Sequence, residues 1–245
     1  MADPNGGDYY VSRKRKLLRD FDRMAGRVRN VFVSPYGEEQ TDALIGETRR
    51  EYEALIPQLP YIGGKQPYTQ FIIGAAWSLA MYRVLRAQGE TLEAVGELIY
   101  EMDRAVLKAY PRFLRRLFGS MTFSRRYIRR LRKRAAESHE CRYPGDYVYT
   151  FVEGDGETFD HGVDYLEGAT CKFLQQQGAS ELGPYLCVAD LLYSEMLDWG
   201  LIRTKTLAEG AEKCDFRFKK GGPTRVAVSA SLRMTLQDRD PATGK

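Results

Sequence analysis

The sequence predicts an α+β fold: an N-terminal helical bundle followed by an antiparallel sheet with packed helices. Three observations lead there. Apolar residues recur at helical spacing through the first half of the chain. Near Tyr143-Pro144-Gly145 the pattern changes to an alternation rich in β-branched and aromatic residues. Short apolar segments separated by glycine and proline turns then continue to the C-terminal region. A chain of 245 residues, 43% of them hydrophobic, can bury a substantial core. The division expected is a helical region over 1–140, an α+β small-molecule-binding and catalytic region over 141–235 and a tail over 236–245, packed as one compact unit.

In "SRKRKLLRDFDRMAGRVRN", Leu17, Leu18, Phe21, Met24 and Val28 define one amphipathic helix, and Leu44, Ile45, Tyr52 and Leu55 define a second. "LPYIGGKQP" interrupts with two prolines and a Gly-Gly pair. Residues 71–85 are apolar on nearly every face, as a central helix requires. Thr91 caps the next helix, whose inner side is Leu92, Val95, Leu98, Ile99, Met102 and Val106. A basic helix is expected from about Ser120.

"DYVYTFVEG" and "TFDHGVDYL" read as strands around the turn "EGDGE". A helix through "ATCKFLQQQG" ends at Gly178, a residue suited to the left-handed conformation that closes a helix, and "LCVADLLYSEML" predicts another. "LIRTKTLA" and "CDFRFK" read as paired strands, and "TRVAVSASLRMTL" adds one more. No internal repeat is present.

The longest mostly apolar stretch, "FIIGAAWSLAMY", has 12 residues, too few to span a bilayer, so a soluble cytoplasmic protein with no membrane partner is expected. Cys141, Cys171, Cys187 and Cys214 lack CxxC spacing, which implies neither a disulfide framework nor a closed zinc site. Reduced thiols and no metal are expected. The net charge of +4 conceals ten Lys and Arg residues within 112–134 and no acid among them. That run suits a solvated face; a nucleic-acid partner is not expected, because no recognition motif accompanies it. The sequence leaves homo-oligomerisation open.

Cys187 is the strongest thiol nucleophile candidate. It is expected near the start of a helix, where the dipole lowers a thiol pKa, with Asp190 on the same face three residues on. Asp190 opposes that effect by like-charge repulsion, so a cation or His161 has to assist. His161, between Asp160 and Asp164, has the chemistry of a general base, although strand alternation turns Asp160 to the other face.

The segments "LPYIGGK", "EGDGETFDHGVDYLEGATCKFLQQQGASELGPYLCVADLLYSEML" and "GLIRTKTLAEGAEKCDFRFKK" resemble the L-2-amino-thiazoline-4-carboxylic acid hydrolase family over about residues 40–220. The PYLC-x-x-D, RTKT-x-A-x-G and CDFR segments carry the likeness in order. The resemblance implies hydrolytic opening of a cyclic isothiourea on a bacterial route to cysteine, a small-molecule substrate and no cofactor. Two positions depart from the family pattern: Gly168 stands where members often carry a cysteine, and His161 where an aromatic is common. The C-terminal half is also distantly similar to vinyl-reductase-type small-molecule-binding domains, some of which hold zinc through E-x2-C-x3-G-x3-C. On that pattern the chain offers Arg203, Thr206, Gly210 and Cys214, so two ligand positions are lost.

A cyclic amidine carboxylate needs a cation, acceptors for its nitrogens, and a nucleophile or activated water. Arg203 suits the carboxylate through its bidentate fork, if Arg203, Lys205 and Leu207 share one face of a strand. Asp164, Glu167 or Asp190 suits the amidine, and Thr206 and Cys214 complete the binding set. Attack by Cys187 and attack by water both stay open. The alternative is a non-catalytic sensor of the vinyl-reductase-like type.

Overall fold

A computed structural model describes residues 7–64 and 66–228. The helices α1 (Gly7–Val11), α2 (Lys14–Tyr36), α3 (Glu38–Leu55), α4 (Thr69–Ala87) and α5 (Leu92–Lys108) come first. Ile72, Ala76, Leu79, Ala80 and Leu85 make α4 the central rod, and each lies fully out of solvent. Burying a leucine or isoleucine side chain in this way contributes about 2 kcal/mol, so the amphipathic α2, α3 and α5 gain most by packing around it. The Thr91 hydroxyl accepts from the Ala94 N–H at 3.1 Å, the expected cap of α5. One continuous hydrophobic cluster runs from Tyr10 to Val188 and so joins this bundle to the later helices.

The basic stretch is two helices, α6 (Arg112–Met121) and α7 (Arg125–Ser138), not one. The break follows from side-chain competition: the Thr122 and Ser124 hydroxyls donate to the Gly119 and Met121 carbonyls. The Ser124 hydroxyl also accepts from the Tyr127 N–H at 3.2 Å and so starts α7.

The sheet consists of β1 (Val148–Glu153), β2 (His161–Glu167), β3 (Leu201–Arg203), β4 (Cys214–Phe218) and β5 (Arg225–Val226), in the order β1-β2-β4-β3-β5. Three pairings are antiparallel, but β3 and β5 run parallel. The sheet is therefore mixed, not purely antiparallel, because β5 arrives after a turn that places it beyond β3. Residues 229–236 of the C-terminal strand expectation, and the tail, lie outside the described residues.

The strand expected over 201–208 stops at Arg203. Asp215 accepts the N–H groups of Thr204 at 2.8 Å and Lys205 at 2.6 Å, so a side chain takes over where the ladder would have continued. Lys205 and Leu207 consequently share no strand face with Arg203, and Leu207–Glu209 forms a 3-10 turn closed by Gly210 at φ +83°.

Between the strands lie α8 (Ala169–Gln176), α9 (Gly183–Cys187) and α10 (Ala189–Leu197). A Cβ on Gly96 of α5 would overlap the Tyr185 ring, so the bare backbone there lets α9 seat on the bundle. Further along the sheet, Leu131 and Ala135 of α7 pack on Tyr149 and Val163. No helix among the described residues is long and apolar enough to cross a membrane.

Candidate functional site

Strand alternation sorts the candidate residues into two sets. Tyr165 pairs with Cys214, Val163 with Phe216, His161 with Phe218 and Leu201 with Phe218, so these side chains share the inner face with Arg203, two residues beyond Leu201. Asp164 pairs with Asp215 and lies on the opposite, outer face.

On the inner side, Arg203 is 2% exposed. Its Nη1 donates to the Cys187 carbonyl at 3.1 Å and forms an ion pair with Asp190, and its Nη2 donates to the Ala227 carbonyl at 3.2 Å. Its Nε–H has no hydrogen-bond partner. The guanidinium thus ties α9, α10 and the 225–228 segment together, and its fork is taken up by protein groups; it is not held open as the sequence led us to expect. Burial pushes the Asp190 carboxyl up to about 6, against the pull of the adjacent Arg203.

Cys187 ends α9 and stands two residues before α10, so the negative end of one helix and the positive end of the next both adjoin it. Its Sγ lies 3.5 Å from the Thr206 hydroxyl. Burial pushes the thiol up to about 12, with the Asp190 charge adding to the shift. Cys187 does precede the start of α10, as expected, but burial and the Asp190 charge outweigh that helix N-terminus and raise the thiol. Cys171 is raised to about 11 and Cys214 is raised as well, both by burial. Cys214 Sγ accepts from the Leu207 N–H at 3.2 Å. Among the described residues, no group of three or more His, Cys, Asp or Glu is placed to hold a metal ion.

His161, Asp164 and Glu167 are engaged elsewhere. His161 is 1% exposed and lies against the rings of Phe123, Phe151 and Phe218. Burial lowers its pKa, which keeps the imidazole neutral. Burial works against ionisation of Asp164, yet hydrogen bonds from Arg217 and Lys213, both at 2.7 Å, hold its carboxyl below the ordinary value. Glu167 pairs with Lys172, whose amine also reaches the Pro144 and Asp146 carbonyls.

A depression remains, lined by Pro184, Cys187, Val188, Arg203, Thr206, Glu209, Ala227 and Val228. It is a shallow feature, too tight to admit a water molecule as it stands, with a buried cation at its base and an exposed carboxylate, Glu209, beside it. Sequence reasoning missed Glu209 and the 227–228 wall. Glu209 sits on the turn that Thr206 caps by accepting from Ala208 N–H, and the RTKT-x-A-x-G motif contained that signal.

The L-2-amino-thiazoline-4-carboxylic acid hydrolase family matches residues 70–218, more than half of the chain. The chain belongs to this family. The matched span contains Cys187, Asp190, Arg203, Thr206 and Glu209, whereas "LPYIGGK" and the 227–228 wall fall outside it. The family name points to hydrolysis of a thiazoline carboxylate. No curated protein and no solved structure matches the chain.

Proposed function

We propose that this family member hydrolyses a small cyclic amidine or thiazoline carboxylate in the depression beside Arg203. The observation that carries the reading is the buried guanidinium, whose Nε–H is unpartnered while its Nη1 bonds Asp190 and the Cys187 carbonyl and its Nη2 bonds the Ala227 carbonyl. A buried donor without a partner costs about 1–3 kcal/mol, a cost that a substrate carboxylate removes on binding. Arg203 then acts as a fixed positive charge whose Nε–H is free to donate, and Asp190 keeps it in place.

Burial holds the Cys187 thiol in its neutral form at neutral pH, which disfavours direct attack by it. We therefore assign the attacking atom to water. Glu209, as the exposed carboxylate of the depression, takes the water proton; the oxygen adds to the sp² amidine carbon, a ring C–heteroatom bond breaks, and the proton returns to the departing nitrogen or sulfur. The neutral Cys187 thiol and the Thr206 hydroxyl supply hydrogen bonds to the ring.

A second reading, a ligand-binding protein without turnover, is favoured by the raised pKa values of all three inner thiols. Incubating the purified chain with 2-aminothiazoline-4-carboxylate and analysing products by mass spectrometry separates the two. Turnover is expected, with Glu209→Gln lowering kcat about a hundredfold and Cys187→Ser less than about tenfold. Loss of turnover in Cys187→Ser with Glu209→Gln fully active would restore the thiol mechanism. Stoichiometric binding with no product would establish the binding protein.

A further inference from the structure

Helix α6 packs on α10 through Gly119, where an added Cβ would overlap the Leu197 carbonyl oxygen. Among the described residues, its other side packs on no further helix or strand that buries it. At 100° per residue, Phe113, Leu117, Met121, Leu114 and Phe118 span an arc of roughly 140°, centred opposite Gly119. Phe113 is 69% exposed, Leu117 53%, Met121 57% and Phe118 46%. Large apolar side chains displayed together on one short helix are unusual on a solvated surface.

Residues 112–134 carry ten Lys and Arg and no acid. Arg115 and Arg116 flank the apolar face on α6, and Arg125, Arg126, Arg129 and Arg130 lie on the exposed side of α7, whose opposite side buries Leu131 and Ala135. Two ion pairs in the stretch engage Arg132 with Glu153 and Lys133 with Glu137; among the described residues the six arginines just named make none. A second copy of the same face would bring cation against cation, so self-association through it is disfavoured. Nucleic acid would satisfy the arginines but would leave Leu117 and Met121 in water. A surface with anionic headgroups above acyl chains satisfies both.

We propose that α6 and the arginine face of α7 dock this protein on an anionic phospholipid surface, with Phe113, Leu117, Phe118 and Met121 entering the headgroup–acyl boundary. Crossing a bilayer and lying on one are different demands: the first needs about 20 apolar residues, the second an amphipathic helix with a cationic border. The proposal concerns a face separate from the depression at Arg203 and does not depend on the hydrolase reading.

Co-sedimentation of the full chain with vesicles tests it. Binding is expected to vesicles of phosphatidylcholine mixed with phosphatidylglycerol and not to phosphatidylcholine alone, and it should weaken with salt. Each arginine of 125, 129 and 130 changed to alanine should lower the partition about fivefold. Phe113→Asp with Leu117→Asp should lower it at least about tenfold, with turnover and circular dichroism unchanged. In case that double variant fails to fold, Phe113→Trp provides a separate readout: its added fluorescence should be quenched by brominated acyl chains. Absence of binding to the anionic vesicles overturns the proposal. So does equal binding by the folded double aspartate variant, or tight binding of an oligonucleotide while the added fluorescence of Phe113→Trp goes unquenched by brominated lipid.

Discussion

Each face of the sheet carries one arginine–aspartate pair, and the two behave in opposite ways. Arg203–Asp190 lies inside, with the arginine side chain 2% exposed; Arg217–Asp164 lies outside, with its arginine 22% exposed and Lys213 as a second cation. Inside, desolvation dominates and raises the carboxyl; outside, the two cations dominate and lower it. The same two residue types thus give a raised carboxyl beside one buried cation on one face and a lowered carboxyl beside two cations on the other. The number of neighbouring cations decides which, since Asp164, 14% exposed, is no wetter than Asp190 at 29%.

The comparison breaks most visibly at Arg203. Arg203→Met removes one partner of a largely buried pair and leaves Asp190 uncompensated, so urea denaturation should show a loss of about 3–5 kcal/mol. Adding Asp190→Leu should recover a substantial part of it. An equal loss in Arg217→Met would show that the faces do not differ; about 1 kcal/mol or less is expected there.

An intermediate effect is expected at Asp215, which accepts from Thr204 N, Lys205 N and the Thr204 hydroxyl at 2.5–2.8 Å. Asp215→Ala should cost about 1–2 kcal/mol in the same denaturation measurement, because the loop after β3 loses its anchor at an exposed position. A loss near zero would show that the 3-10 turn holds itself.

Stability against pH sharpens the contrast further. Asp190 binds its proton more tightly folded than unfolded, so its contribution to stability falls as pH rises from the ordinary 3.8 to about 6. Asp164 has the opposite sign: its contribution is present above the ordinary value and is lost as pH falls below it. Denaturation of Asp190→Asn between pH 4 and 6 should show a flatter decline than the unaltered chain. Asp103, raised by burial to about 7, contributes in the same direction as Asp190, and Asp103→Asn isolates its share. An unchanged slope in Asp190→Asn would mean that its carboxyl stays ionised throughout.

The smallest effect is chemical. Cys141 is exposed while Cys171, Cys187 and Cys214 are raised by burial, so a thiol reagent should label one site quickly in the native protein and four after unfolding. Rapid native labelling of Cys187 would show the inner face to be wet.

Patterns set by near neighbours in the chain were legible in the sequence. The α4 rod, the Thr91 cap and the close of α8 at Gly178, which has φ +66°, follow from periodicity and turn chemistry. Features that depend on distant partners were not legible. Nothing local says that Asp215 will end β3, that Arg203 will reach Asp190, or that β5 will return alongside β3. The motif locates Cys187 but not its thiol chemistry, since the end of a five-residue helix on which it sits is decided by tertiary packing.

One consequence concerns the order in which the chain is made. The wall supplied by Ala227 closes the depression against Arg203, whose side chain donates to the Ala227 carbonyl and whose own carbonyl accepts from the Ala227 N–H at 2.8 Å. Ribosomal synthesis produces α9, β3 and β4 before that wall exists, so the nascent protein holds its buried arginine beside an unfinished sheet edge until residues 225–228 emerge and dock. Docking of that short strand is thereby what covers the β3 edge and completes the wall of the depression.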